Sequence, residues 1–443
     1  MIALKRILSI LLILTLSISC LAGCSQEKPV DKPISNSTET PIENPIEKPE
    51  ENPSELPSEK PSTDVVEPII PIKDTDKVGF TQFDSQLINH INSHKSNENY
   101  MVSPLSLKMA LLLATTGANG ETLDEMLTVL GYDTLDDYLK WGTSIFELEK
   151  EFDKMVEYEK QNPYNTDYDA DFLIANGIWH NTDKPGQFLQ SYKDNLEQLN
   201  AIFNATPANE LKTKINEFVN EKTNGMIPEA VDDSVIEHTN VLVNTLYLKS
   251  YWASAFEEFL TKEGDFTTIT GEKVNKELMN QSAHFDYYED KDSQVLIMPM
   301  DGDINVAFVI GDNSNILKKI DKATDKFVNV TIPKFDFESE FKEELMQFLQ
   351  ESGMKKVFSN ESDLSKMMDV PSFISGILQK TKIELNEAGL KAAAVTIIYT
   401  DGITAMPPKP VDFTADKPFT FYIYSTSEAI EAPELLFFGQ YVK

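Results

Sequence analysis

Five histidines, two cysteines and many carboxylates are the side chains that could do chemistry in this 443-residue chain. His90 and His94 stand four apart, a spacing that puts two imidazoles on one helix face and could seat a metal ion. No glutamate follows His90 where a metalloprotease needs its base, so a solvated helix face is expected there. Asp167, Asp169 and Asp171 alternate like the start of a calcium loop. Phe172 stands where the turn glycine belongs and Ile178 where the closing glutamate belongs, which removes that reading. Gly-x-Ser-x-Gly, a glycine-rich phosphate loop and Cys-x-x-Cys are all missing. The residues therefore predict neither an enzyme nor a metal or cofactor site.

One segment invites chemistry on itself. It opens Glu387-Ala388-Gly389-Leu390-Lys391-Ala392-Ala393-Ala394-Val395-Thr396 and continues through Ile397, Tyr399 and Ile403 to Thr404-Ala405-Met406-Pro407-Pro408-Lys409-Pro410. Residues 390–403 hold no proline, and Lys391 and Asp401 are their only charges. Small, β-branched and aromatic residues suit a strand, which at about 3.3 Å per residue would span on the order of 45 Å. The prolines that follow cannot join the interior of a sheet. A break between the halves would free a sheet-competent tail and leave the prolines behind. An ordinary strand followed by a loop fits the same residues.

The remaining reactive group is Cys24. Lys5 and Arg6 precede an apolar run from Ile7 to Ile18, too short to span a bilayer comfortably. Leu21-Ala22-Gly23-Cys24 then resembles the bacterial lipobox, in which the cysteine becomes the acylated first residue. Residues 1–23 thus read as a lipoprotein signal that removes Cys20, and an extracytoplasmic, membrane-anchored product is expected. Residues 24–77 read as a tether. Prolines recur every fourth residue from Pro41 to Pro61 among Glu, Asn, Ser and Lys, a composition that cannot bury a core. An extended chain rising about 3.1 Å per residue would reach on the order of 150 Å; a spacer with no length requirement has the same composition. The net charge of −33 repels phosphate backbones, so no nucleic-acid partner is expected.

The elements that must position these residues lie in 78–443, read as one mixed α/β domain without cysteine. Phe80, Phe83, Leu87 and Ile91 fall at helical spacing. Ser103-Pro104 starts a helix by its cap and its first-turn proline, and the apolar run from Leu105 to Ala114 predicts a helix buried all round. Lys214 to Lys222 is helical and stops at Asn224-Gly225. Val241 to Leu248, Gln294 to Pro299 and Val328 to Ile332 read as strands, and Phe341 to Gln350 as helix.

Several segments, in order along nearly all of residues 80–443, resemble the serpin family of protease inhibitors. Glu387 to Thr396 looks like the family's Glu-x-Gly-x-x-Ala-Ala-Ala hinge. Asn99 to Ser106, Gly117 to Thr122, Val241 to Asn244 with Tyr247, Lys249, Trp252 and Phe256, Ile332 to Phe335, Asp363 to Ser365, Phe413 to Phe419 and Phe437 to Gly439 resemble its other motifs. The resemblance implies three β-sheets, about nine helices, an exposed reactive loop and a monomer. It implies a suicide substrate, whose cleaved loop inserts into the main sheet and carries the acylated protease with it. Ser103, Ser106, Asn244, Trp252, Lys334 and Gln379 match loop-base or sheet-opening positions. Lys334 and Glu387 are expected to pair, partly buried, where the loop leaves the sheet. By strict alternation Leu390, Ala392, Ala394, Thr396 and Ile398 would face inward. Leu390 is bulkier than the usual residue, Lys391 replaces a common acid and Gln379 a common histidine, which bears on insertion speed.

Counting the family's loop length from Gly389 puts the bait bond at Ile403-Thr404; aligning on Pro407-Pro408 moves it to Thr404-Ala405. No Lys or Arg lies between Thr396 and Met406, so the expected target is an elastase-like or subtilisin-like serine protease, with a papain-like cysteine protease as a further option. Two other functions share parts of this pattern: a non-inserting binding protein on the same fold, and a solute-binding lipoprotein.

Overall fold

The computed structural model describes residues 78–162, 168–199, 201–390 and 409–443. The expected leader, Cys24 and the tether lie outside the described residues. So does the segment 391–408, with Ala392, Ala393, Ala394, Ile403, Thr404 and Ala405. The described residues fall in one compact unit, Val66–Lys443.

Helix α1 (Gln82–Lys95) starts at a capping box in which Thr81 and Asp84 bond each other's backbone N–H. Strand β1 (Tyr100–Val102) leads to α2 (Pro104–Gly117), which Ser103 caps and which is buried along its whole length, as its unbroken apolar run requires. Next come α3 (Gly120–Leu130) and the long α4 (Leu135–Lys160), capped by Thr134. Strand β2 (Asp171–Asn181), α5 (Gln190–Gln198), β3 (Ala201–Thr206) and α6 (Ala208–Lys222) follow. The chain leaves α6 through left-handed Asn224 and Gly225 and enters β4 (Asn240–Tyr251).

The second half is richer in strand: β5 (Lys262–Thr267), β6 (Lys273–Glu289), β7 (Ser293–Pro299), β8 (Ile304–Gly311), α7 (Ile316–Lys322), β9 (Thr324–Pro333), β10 (Phe335–Phe341) and α8 (Glu343–Glu351). It closes with β11 (Gln379–Asn386), the two-residue β12 (Gly389–Leu390), β13 (Val411–Thr414), β14 (Phe419–Ser425) and β15 (Glu434–Tyr441).

Two hydrogen-bonded sheets hold the described strands. The first runs β10-β11-β12-β4-β2-β3. The second runs β1-β15-β14-β8-β7-β6-β9-β13, with β5 on β6. Three sheets were expected, and two of them are continuous here because β6 is long and unbroken. Its first turn of pairing goes to β5 and its remainder to β9 and β7. The mixed α/β class is the expected one, with eight α-helices among the described residues.

Two local expectations change. Phe341 ends strand β10 rather than starting a helix, because its ring packs, fully buried, edge-on to Tyr100. His90 is not on a solvated face. Its side chain is only 9 % exposed between α1 and α8, with Nδ1 3.5 Å from Glu351 and the ring against Phe348. Burial, followed by the nearby imidazole of His94, lowers its pKa.

Candidate functional site

The site lies where the first sheet turns from β11 into β12. At the turn, Ala388 N–H donates to Asn386 Oδ1 (3.1 Å), and Gly389 adopts φ +148. A Cβ on Gly389 would stand 2.2 Å from the Ser250 carbonyl oxygen, so only glycine lets β12 lie this close to β4. Trp252 fastens the turn from β4: its backbone N–H donates to Ala388 O (2.9 Å) and its indole N–H to Asn386 O (3.1 Å). Phe256 N–H donates to Glu387 O at 2.8 Å.

Lys334 and Glu387 do pair, Nζ to Oε2 at 3.3 Å, with Glu387 the more buried partner. The Thr261 hydroxyl donates to the other carboxylate oxygen at 2.7 Å. Burial raises the pKa of Glu387, but the Thr261 hydroxyl, the backbone and Lys334 outweigh it, and the carboxyl is held below its ordinary range. Lys334 is shared with Glu277 at 3.8 Å.

Lower in the sheet, a polar set ties the inner strands β11, β4 and β2 to the start of α2. The Gln379 amide makes a two-way clamp on Ser103, Oε1 accepting its N–H and Nε2 donating to its carbonyl, both at 2.8 Å. The Ser103 hydroxyl donates to Leu436 O (2.7 Å) and accepts the Ser106 N–H (3.0 Å). Ser106 Oγ bonds Asn244 Oδ1, and Asn244 Nδ2 donates to Asn176 Oδ1 at 2.5 Å. The chain runs from α2 through β4 to β2, on one side of the line that separates β4 from β11.

That line is open. Gly389 and Leu390 pair with Tyr251 and Ser250 on one side and with Asn386 and Leu385 on the other. Among the described residues, no ladder joins β4 to β11 beyond Leu390. A cavity of about 510 Å³ lies between them beside α8, lined by Val241, Val243 and Thr245 of β4, Met346 and Gln350 of α8, and Ile377 and Leu378 ahead of β11. The Thr245 hydroxyl is buried there without a hydrogen-bond partner.

The serpin (serine protease inhibitor) family model matches residues 79–443. The chain belongs to the serpin family. Its relatives include the leukocyte elastase inhibitor of Xenopus laevis, 28% identical over 392 residues that span 82% of this chain and 97% of the relative. The solved structure of Serpin48 from Tenebrio molitor superposes with a TM-score of 0.66 at 26% identity, over 81% of this serpin and 95% of that chain. Human thyroxine-binding globulin, whose name states a binding role, shares the fold with a TM-score of 0.68 at 20% identity, over 84% and 97% of the two chains.

Of the positions read from the sequence of this serpin, Glu387, Gly389, Leu390, Lys334 and Trp252 meet at the β11–β12 turn. Ser103, Ser106, Asn244 and Gln379 meet in the polar set below. Two other resembling segments also meet: Asn119 N–H donates to Asp363 O (2.9 Å) and Asp363 N–H to the Thr122 hydroxyl (2.9 Å). Thr261 was missed. It sits in an irregular turn, and no spacing in the sequence points it at Glu387.

Proposed function

We propose that this serpin is a suicide-substrate inhibitor of elastase-like or subtilisin-like serine proteases, held outside a bacterial membrane by an acylated Cys24. The observation that carries the reading is the apolar line between β4 and β11, open among the described residues and started in register by Gly389 and Leu390. After cleavage the same antiparallel register would set Ala392, Ala394, Thr396 and Ile398 opposite Leu248, Leu246, Asn244 and Leu242. These β4 residues include Leu242 and Leu248 of the main core. On the other face Val395, Ile397 and Tyr399 would lie opposite Thr245, Val243 and Val241, which line the cavity. The alternation predicted from the loop alone thus suits both faces of the sheet. A strand added here satisfies two rows of backbone groups and buries apolar side chains.

A protease attacking Ile403 would become esterified to that residue, and insertion would move it away from the loop base before water hydrolyses the ester. The absence of cations from 397–405 supports a protease with a small or apolar pocket. Incubation with a panel of serine and cysteine proteases should give a one-to-one complex that survives SDS, releasing a C-terminal fragment that begins at Thr404. A fragment beginning outside residues 399–406 would move the bait bond. Cleavage without any complex would favour the non-inserting binder. For the anchor, Cys24→Ser protein should leave the membrane fraction; a variant that stays would remove the lipid claim.

A further inference from the structure

Phe259 is 78 % exposed, more than any other large hydrophobic residue among the described residues. It sits in the short turn Glu258–Leu260 that joins β4 to β5. The turn is rigid. Leu260 N–H donates to Glu257 O (2.9 Å), Thr261 N–H to Glu258 O (3.1 Å), and Asn280 Nδ2 to Leu260 O (3.2 Å). The turn is also joined to the loop base from both ends, because Phe256 N–H bonds Glu387 O and the Thr261 hydroxyl bonds the Glu387 carboxylate. An exposed aromatic ring two residues from that contact buries little of itself in the fold. Carried on a hydrogen-bonded turn, it can bury on a partner with little backbone ordering cost.

The charge around it is mostly negative, with Glu257, Glu258 and Glu263 against the exposed Lys262. Glu257 and Glu258 immediately precede the ring, and no ion pair among the described residues engages either. Lys334, the cation closest in this network, is already taken by Glu387 and Glu277. We propose that Phe259 with Glu257 and Glu258 is a second contact for the target protease, one that selects enzymes carrying a basic surface with an apolar notch beside the cleft. The inference rests on the inhibitor reading above. The bait residues fix which bond is attacked; the ring and carboxylates fix which protease arrives fastest. Rim carboxylates act mainly on the association rate, with a salt dependence, whereas a buried aromatic anchor holds the encounter complex long enough for attack.

The test is the second-order rate constant for SDS-stable complex formation, measured across elastase-like and subtilisin-like proteases of differing surface charge. The wild-type protein should react fastest with the basic enzymes. Phe259→Ala should slow that reaction about tenfold. Glu257→Gln/Glu258→Gln should reduce the advantage of basic over acidic enzymes and lower the salt dependence. In both variants the stoichiometry of inhibition and the melting temperature should stay at wild-type values. Wild-type rates in both variants, with complexes still forming, overturn this inference and leave the inhibitor reading standing. No complex with any protease overturns both. Self-association of the wild-type chain, abolished in Phe259→Ala, would assign the ring to a second copy instead and overturn the protease contact.

Discussion

Gly389 shows how one residue type is dictated by a close approach. Its φ of +148 is open to glycine, and the Ser250 carbonyl occupies the space a side chain would need. Gly389→Val should push β12 off β4 and lower stability by about 2–4 kcal/mol, read as a drop in thermal midpoint of the uncleaved protein. Glu387 gives the second prediction at this scale. Lys334→Met leaves its carboxylate in place with only Thr261 and backbone partners, at a cost of about 1–3 kcal/mol near neutral pH. The sign follows from its lowered pKa: the stabilisation is present above the ordinary glutamate range and disappears as pH falls through the folded value. Wild type and Lys334→Met should therefore converge in stability under acid, and a constant gap down to pH 3 would contradict this account. Lys334 and Glu387 were legible because each lies in a recognisable run of residues. His90 was not, because its spacing to His94 carries no information about α8, which arrives some 250 residues later to cover it.

At the scale of elements, α2 and β4 were legible for opposite reasons. An unbroken apolar run with a Ser-Pro start leaves a helix no exposed face, and the largely apolar, β-branched run from Val241 to Leu248 suits a strand covered on both faces. What stayed hidden is how elements clamp one another. Lys108 lies inside α2, where the sequence predicts only apolar contacts, and is held by Glu434 of β15 and Asp84 of α1. Glu149 of α4 accepts the Ile174 N–H of β2 at 3.0 Å, ahead of Asn176, where pairing with β3 begins. Burial raises its pKa to about 7. The Ile174 bond and Lys222 oppose that shift, and Asp153 and Asp171 add to it. A raised carboxyl means that the folded state binds the extra proton, so stability falls as pH rises from about 4.5 to about 7 and is flat above. The loss attributable to Glu149 is ~3 kcal/mol at most. Glu149→Gln should shrink the difference in unfolding free energy between pH 5 and pH 8 by that order. Asp153 and Asp171, also raised, should leave a smaller slope behind. An unchanged difference would show that the α4–β2 clamp does not titrate in this range.

For the whole molecule, the decisive property is the line between β4 and β11, which no ladder among the described residues closes beyond β12. Among the described residues, β4 and β11 share only the two residues of β12, and the cavity of about 510 Å³ beside them holds an unpartnered threonine hydroxyl. Buried unpaired groups and unfilled space both cost stability, so the uncleaved chain should lie above its most stable arrangement. Cutting the loop at a bond near Ile403-Thr404, with a protease that cleaves there without being trapped, should release residues 391–400 to pair with Lys249–Asn240. If the added strand contributes ~10 kcal/mol, the thermal midpoint should rise by about 20 °C, at about 2 °C per kcal/mol for a large domain. Ala392→Arg separates insertion from cleavage. The register puts residue 392 opposite Leu248, which faces the main core, so a guanidinium there would have to be buried without a counter-charge. That variant should be cut at the wild-type rate, gain no thermal stability and form no SDS-stable complex. Intact and cleaved wild-type protein melting together would mean that the open line between β4 and β11 does not take the loop. The chain would then use its serpin fold to bind a partner without trapping it.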